Sequence, residues 1–230
     1  LDEAFAAVSE CISEAGVFVF EDPSLLRMLE RVSYDQIYDE HAHIFSVTAL
    51  QNLLNRTGLE IFRVDNLEVH GGSNRIYACK TNSRKIEESV AINLKLEEKH
   101  GIGNLETYQD FAKKVQKSKD SLVSILTNLK NSGKKIVSYG ATSKSTTVFN
   151  YCGLGPDLID CIVDTTTDKQ GKLSPGMHIP VVSPDDGFDS TVDVAFLGAW
   201  NYEKEILAKE QKFIEDGGKF ITHVPFVRVI

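Results

Sequence analysis

From Lys134 onward, short apolar runs alternate with helix-length amphipathic segments, and no other feature of this 230-residue chain restricts its fold as much. Strands are predicted over residues 135–140 (KIVSYG), 160–164, 179–182, 192–198 and 219–224, with a helix running through Asn150 and Tyr151 and another over 202–215. Continuous apolar strands separated by helices make a parallel sheet covered on both faces, because each crossover must return the chain to the same edge. Ligands of such sheets gather at the carboxyl ends of the strands. That rule places residues 140–145, 164–169 and 199–202 along one rim.

The preceding half reads differently. Residues 2–15 carry Phe5, Val8 and Ile12 on one helical face and are stopped by Gly16. Residues 17–21 (VFVFE) form an apolar run of the buried-strand type, which requires neighbours on both sides. Ser46 has N-cap chemistry for a helix over 49–56 that Gly58 ends. Strands over 59–69 and 75–80 follow, joined through His70-Gly71-Gly72-Ser73. This order of strand, helix, strand, strand resembles the closing quarter of a class I methyltransferase sheet, whose last two strands are an antiparallel pair. The parallel strands that should precede it are missing and the first residue is Leu1, so a fragment is expected, with the edge and one face of 17–21 left bare. Two wet helices, 84–100 and 105–131, connect the halves.

Between the first strand and the first capped helix lies the most reactive stretch, residues 34–46 (YDQIYDEHAHIFS). Within it Tyr38 offers a phenol donor, Glu40 a carboxylate that orients or accepts, and His41 an imidazole that takes a proton near neutral pH. Histidines beside acids are also common in solvated or purely structural settings, so the grouping points to chemistry without proving it.

Charge and cysteine usage narrow the partners. A net charge of −8 repels the phosphate backbone of nucleic acid and acidic membrane surfaces. No apolar run reaches the ~20 residues of a membrane span. Cys11, Cys79, Cys152 and Cys161 include no C-x-x-C pair and no cluster with histidine, which predicts no metal site and reduced thiols in a cytoplasmic protein.

At the rim, residues 140–145 (GATSKS) have the layout of a phosphate-cradling turn at a helix N-terminus, with Thr142, Ser143, Lys144 and Ser145 as donors. The P-loop pattern fails because Ser143, not Gly, precedes Lys144. The dinucleotide pattern fails because only Gly140 is present, although Asp164 ends the next strand where a ribose partner would stand.

Taken in order, Tyr38-Asp39-Glu40-His41, His70-Gly71-Gly72-Ser73 with Arg75, residues 140–145, Asn150-Tyr151-Cys152-Gly153, Asp168-Lys169-Gln170 and residues 175–180 (PGMHIP) resemble the S-adenosylmethionine-dependent C-methyltransferases of deoxysugar biosynthesis. The resemblance spans nearly the whole chain. It implies transfer of a methyl group to C3 of a nucleotide-linked 4-keto-deoxysugar by way of an enolate. It also implies His41 as the base, Glu40 orienting the sugar or the imidazole, and Tyr38 bonding the ketone or enolate oxygen. Arg75 and Lys144 become diphosphate partners, with His70, Gly140, Thr142, Ser143, Asp164 and Lys169 around the substrate. The family's four-cysteine zinc portion and its glycine-rich donor-binding turn are absent here, so the S-adenosylmethionine contacts are unassigned.

The expected organisation is therefore α/β: residues 1–83 as the C-terminal part of a methyltransferase domain, and 84–230 as a Rossmann-like C-terminal domain including the connecting helices. The expected partners are a nucleotide-diphosphate sugar and a missing N-terminal methyl-donor domain or a partner chain. A nucleotide-sugar-binding module without its own chemistry is the alternative.

Overall fold

The computed structural model describes all residues, 1–230, as two compact units: residues 1–30 with 43–110, and residues 31–42 with 111–230. The first unit opens with α1 (Asp2–Cys11), followed by β1 (Phe18–Pro23), α2 (Leu25–Arg31), α3 (Val47–Arg56), β2 (Leu59–Leu67), β3 (Ser73–Lys80) and α4 (Glu88–Lys99). Its three strands are antiparallel in the order β1-β3-β2. The expected buried strand is thus an edge strand: β1 has one neighbour, Phe18 and Phe20 are half-buried against Phe5 of α1, and Val19 is exposed.

Helix α3 supplies the core of this unit through Val47, Leu50, Leu53 and Leu54. Ser46 caps it by accepting from the Ala49 amide at 3.0 Å. The buried Glu97 of α4 accepts from the amides of Val47 and Thr48 at 2.7 and 2.8 Å, so a carboxylate completes the helix N-terminus. Two boundaries move for visible reasons. Helix α1 ends at Cys11 because Ile12 is extended (φ −82°, ψ 143°). Residues 84–87 are not helical because they are tied to β2, the Glu87 amide donating to the Phe62 carbonyl at 2.8 Å and the Arg84 guanidinium lying over the Phe62 ring.

Helix α5 (Leu105–Asn131) leads from the first unit into the second, where β4 (Ile136–Tyr139), α6 (Ser143–Cys152), β5 (Cys161–Val163), β6 (Val181–Val182), α7 (Pro184–Gly187), β7 (Val194–Leu197), α8 (Glu203–Lys209), α9 (Gln211–Glu215), β8 (Lys219–Thr222) and β9 (Arg228–Val229) follow. The sheet order is β6-β5-β4-β7-β8-β9, parallel except for β9. Val115, Leu122 and Leu126 of α5, with Val148 and Phe149 of α6, pack on one face against Ile136, Val194 and Phe196. Alternate residues, Val137, Ala195 and Leu197, meet Ile206 and Phe213 on the other face. This three-layer arrangement is Rossmann-like, as expected. The helix expected over 202–215 is broken at Glu210, whose carboxylate is drawn to the Tyr139 hydroxyl at 2.7 Å.

Strand order reverses at β4. The chain places β5 and β6 on one side of it and β7 and β8 on the other, which opens a crevice at the carboxyl ends of β4 and β7. Gly198 lets the two strand ends approach: a Cβ there would stand 2.5 Å from the Gly140 carbonyl oxygen.

Candidate active site

A cleft of about 600 Å³ lies along this rim of the second unit. Its walls are Tyr38 and Asp39 on one side, Ala141, Thr142 and Ser143 at the β4–α6 turn, Thr146, Thr147 and Asn150 along α6, and Lys169, Lys172 and Ser174 opposite.

Tyr38, on this wall, meets the side chain of His41, which does not itself line the cleft. The His41 Nδ1 lies 2.9 Å from the Gln36 carbonyl oxygen, and its Nε2 lies 3.1 Å from the Tyr38 hydroxyl. A carbonyl only accepts, so Nδ1 carries the proton and Nε2 presents its lone pair to the phenol. The tautomer needed for a base at Nε2 is fixed by the backbone. Glu40 is exposed and takes no part in holding the imidazole, a task the Gln36 carbonyl performs.

The turn expected to cradle phosphate has spent most of its donors internally. Thr142 and Ser145 form a reciprocal capping box, each hydroxyl accepting from the other's amide at 3.0 Å. The Ala141 amide donates to Asp164 Oδ2 at 2.7 Å, and the Gly140 amide to the Val163 carbonyl at 2.8 Å. Of this turn, Ala141, Thr142 and Ser143 line the cleft. Gly140 adopts φ +100°, a conformation that only glycine takes without strain.

Asp164 ends β5 as a latch. Its second oxygen accepts from the Thr166 amide at 2.8 Å, and Lys169 Nζ stands 3.5 Å away while donating to the Ala141 carbonyl at 2.7 Å. Burial pushes the Asp164 carboxyl up, but the Thr166 and Ala141 amides and the Lys169 charge outweigh it and hold the group below its ordinary value.

Lys144 is placed differently from the expectation. Its ammonium is buried beneath the turn, 5.5 Å from the centre of the Tyr38 ring, and has no hydrogen-bond partner. The remaining two expected residues belong to the first unit. Arg75 is engaged by Glu21 at 2.9 Å, and His70 sits exposed in the short turn Val69–Gly71 with φ +54°.

Sequence reasoning put residues 199–202 on the rim but singled out none of three residues here. Asp35, Trp200 and His223 are all buried and converge behind Tyr38, Asp35 accepting from the Trp200 indole nitrogen at 2.5 Å and lying 3.5 Å from His223 Nε2.

A family model of the C-methyltransferase C-terminal domain matches residues 68–225. The chain belongs to the C-methyltransferase C-terminal domain family. It is also 34% identical over 231 residues to the C-methyltransferase NovU of Streptomyces niveus, an alignment that takes in all of this chain and 55% of the relative. The chain therefore spans about half the length of the curated relative it matches.

Family membership implies S-adenosylmethionine as methyl donor, and the residues present do not build a place for it. The passage from β1 to α2 carries Pro23 and Ser24 where a donor cradle needs glycine. Gly71 and Gly72 join two strands instead, and the space beside Gly72 is filled by Arg27, whose Cβ and Cγ lie 2.8 Å from where a Cβ would stand. No helix is long and apolar enough to cross a membrane.

Proposed function

We propose that this chain is the acceptor-binding and proton-abstracting portion of a C-methyltransferase that methylates C3 of a nucleotide-linked 4-keto-deoxysugar, using S-adenosylmethionine. The observation that carries the reading is the contact of His41, its tautomer set by Gln36, with Tyr38, a residue on the wall of a cleft that is also lined by lysines and hydroxyl side chains. His41 Nε2 takes the proton from the carbon next to the ketone, the C–H electron pair moves to the oxygen, and the Tyr38 hydroxyl turns to donate to that oxygen. Glu40 orients the sugar from the exposed side of the turn. When bound, the methyl donor supplies an electrophilic methyl group to the resulting carbon nucleophile.

Lys169, the Ser143 hydroxyl and the first amides of α6 take the diphosphate, with Gly140 and Thr142 shaping the turn and Asp164 bracing it. For Arg75 and His70, which belong to the first unit, a substrate-binding role rests on the family resemblance alone. The donor site is supplied by polypeptide beyond these residues or by a partner chain. The enzyme works in the cytoplasm, where nucleotide sugars are made.

Isothermal titration of the chain with nucleoside diphosphates, and exchange of the sugar's α-proton with deuterated solvent, test this reading. Binding and exchange are both expected. Lys169→Ala weakens binding by about 1.5 to 3 kcal/mol, the range for a charge-assisted hydrogen bond, and the same titration assigns or removes Arg75 and His70. Absence of nucleotide binding overturns the proposal. Binding without exchange selects the second reading, a nucleotide-sugar-binding module, which the lack of a donor cradle favours.

A further inference from the structure

Asp35 has no exposed surface. The short turn Tyr34–Gln36 delivers it to the crevice, where Oδ2 accepts the Trp200 indole N–H and Oδ1 faces His223. These partners leave the sheet at different strand ends, Trp200 just after β7 and His223 directly after β8. One carboxylate therefore ties residues 31–42 to two strand ends at once. Desolvation pushes this carboxyl up, but His223, the Trp200 indole and the Lys144 charge outweigh it and hold it below its ordinary value.

Lys144 is the opposite half of the problem. A buried ammonium without a hydrogen-bond partner is costly unless an opposite charge offsets it. Desolvation pulls it down from its ordinary value, and Asp35 is the one charge that pushes it back. Its stem rises from the first turn of α6, and its ammonium addresses the face of the Tyr38 ring. The same ring carries the hydroxyl that meets His41.

We infer that Asp35 and Lys144 are positioning residues, both buried: Asp35 docks the reactive turn on Trp200 and His223, and Lys144 fixes the Tyr38 ring so that its hydroxyl addresses His41 Nε2. This rests on the proposed role of Tyr38 and His41. Neither residue touches substrate. Removing one charge leaves the other buried and uncompensated, whereas removing both restores neutrality without restoring the contact with Tyr38.

The test uses the whole chain and the near-isosteric variants Asp35→Asn and Lys144→Met, alone and combined. Three quantities are read: unfolding by urea, acrylamide quenching of the single tryptophan, Trp200, and kcat and KM for α-proton exchange. Lys144→Met is expected to lower kcat on the order of a hundredfold, as a misplacement of about 1 Å does, with KM unchanged and Trp200 still shielded. Asp35→Asn should lower kcat similarly and make Trp200 more accessible. The combined variant should recover stability relative to the single ones but not kcat.

A kcat for folded Lys144→Met within about twofold of the parent, below the ~0.4 kcal/mol that a lost contact would show, overturns the inference, even if Asp35→Asn fails to fold. If the parent exchanges no proton, the functional reading falls by itself. The docking role then stands or falls on whether Asp35→Asn exposes Trp200.

Discussion

A hydrogen bond at one ring nitrogen decides which nitrogen of a neutral imidazole carries the proton, and at His41 that partner is the Gln36 backbone carbonyl and not a neighbouring acid. His41→Asn should therefore abolish solvent exchange of the α-proton, a loss on the order of a hundredfold to ten-thousandfold, while nucleoside diphosphate affinity stays close to the parent's. Tyr38→Phe should cost less, because water replaces one oxyanion donor in part. Exchange that survives in His41→Asn would move the role to Glu40. A second residue-level prediction concerns Gly176, which has φ +80° and would place a Cβ 1.8 Å from Asn150 Oδ1. Asn150 is held by donation to the Pro175 carbonyl at 3.0 Å, so it does not simply swing away. Gly176→Ala should destabilise by more than about 1 kcal/mol and shift the cleft wall that Asn150 forms. Denaturant unfolding that matches the parent within error would show that the wall yields freely.

Helix α6 shows how an element is made from its ends. Thr142 caps it and also donates to the Gly198 carbonyl at 2.7 Å, so one hydroxyl ties the helix start to the end of β7. Thr142→Ala should cost about 0.5 to 2 kcal/mol, with Thr142→Ser close to the parent. Equal stability of the alanine variant would mean that Ser145 alone sustains the cap. Elements of this kind were legible in the sequence because their signals are local: the α5 boundaries, the Ser46 cap and the apolar cores of β4, β7 and β8 follow from periodicity and capping chemistry. Illegible features depend on groups far apart in the chain. The edge position of β1 is decided by pairing with β3, some fifty residues on, and the break at Glu210 by a phenol on β4. Residues 228–229 are too short to carry a period. At the site, Tyr38 and His41 were readable as a pair, but the tautomer depends on a carbonyl. Asp35, Trp200 and His223 converge only once the sheet exists.

At the scale of the whole molecule, the acid sensitivity of the second unit follows from which carboxylates its fold keeps ionised. Asp35 and Asp164 are both held below their ordinary values in the native state. As pH drops beneath about 4, the unfolded chain takes up protons at these positions before the native chain does. Their stabilisation is therefore present in full above the unfolded value and lost as pH falls through the native one. Lys144 works in a different window. Its native value lies below the ordinary one, so between the two the unfolded state holds the extra proton and stability rises with pH until the unfolded lysine also titrates. Urea unfolding followed by Trp200 fluorescence, repeated across pH, separates these contributions, since the single tryptophan lies in the second unit. Asp35→Asn should be less stable at neutral pH and lose stability less steeply in acid, converging on the parent as Asp35 becomes protonated there. Asp164 keeps part of the acid slope in that variant, and adding Asp164→Asn should flatten it further. Lys144→Met should remove the alkaline rise and leave an acid slope in place. An acid slope in Asp35→Asn as steep as the parent's would mean that the buried carboxylate binds its proton alike in both states, and that Trp200, His223 and Lys144 do not hold it ionised.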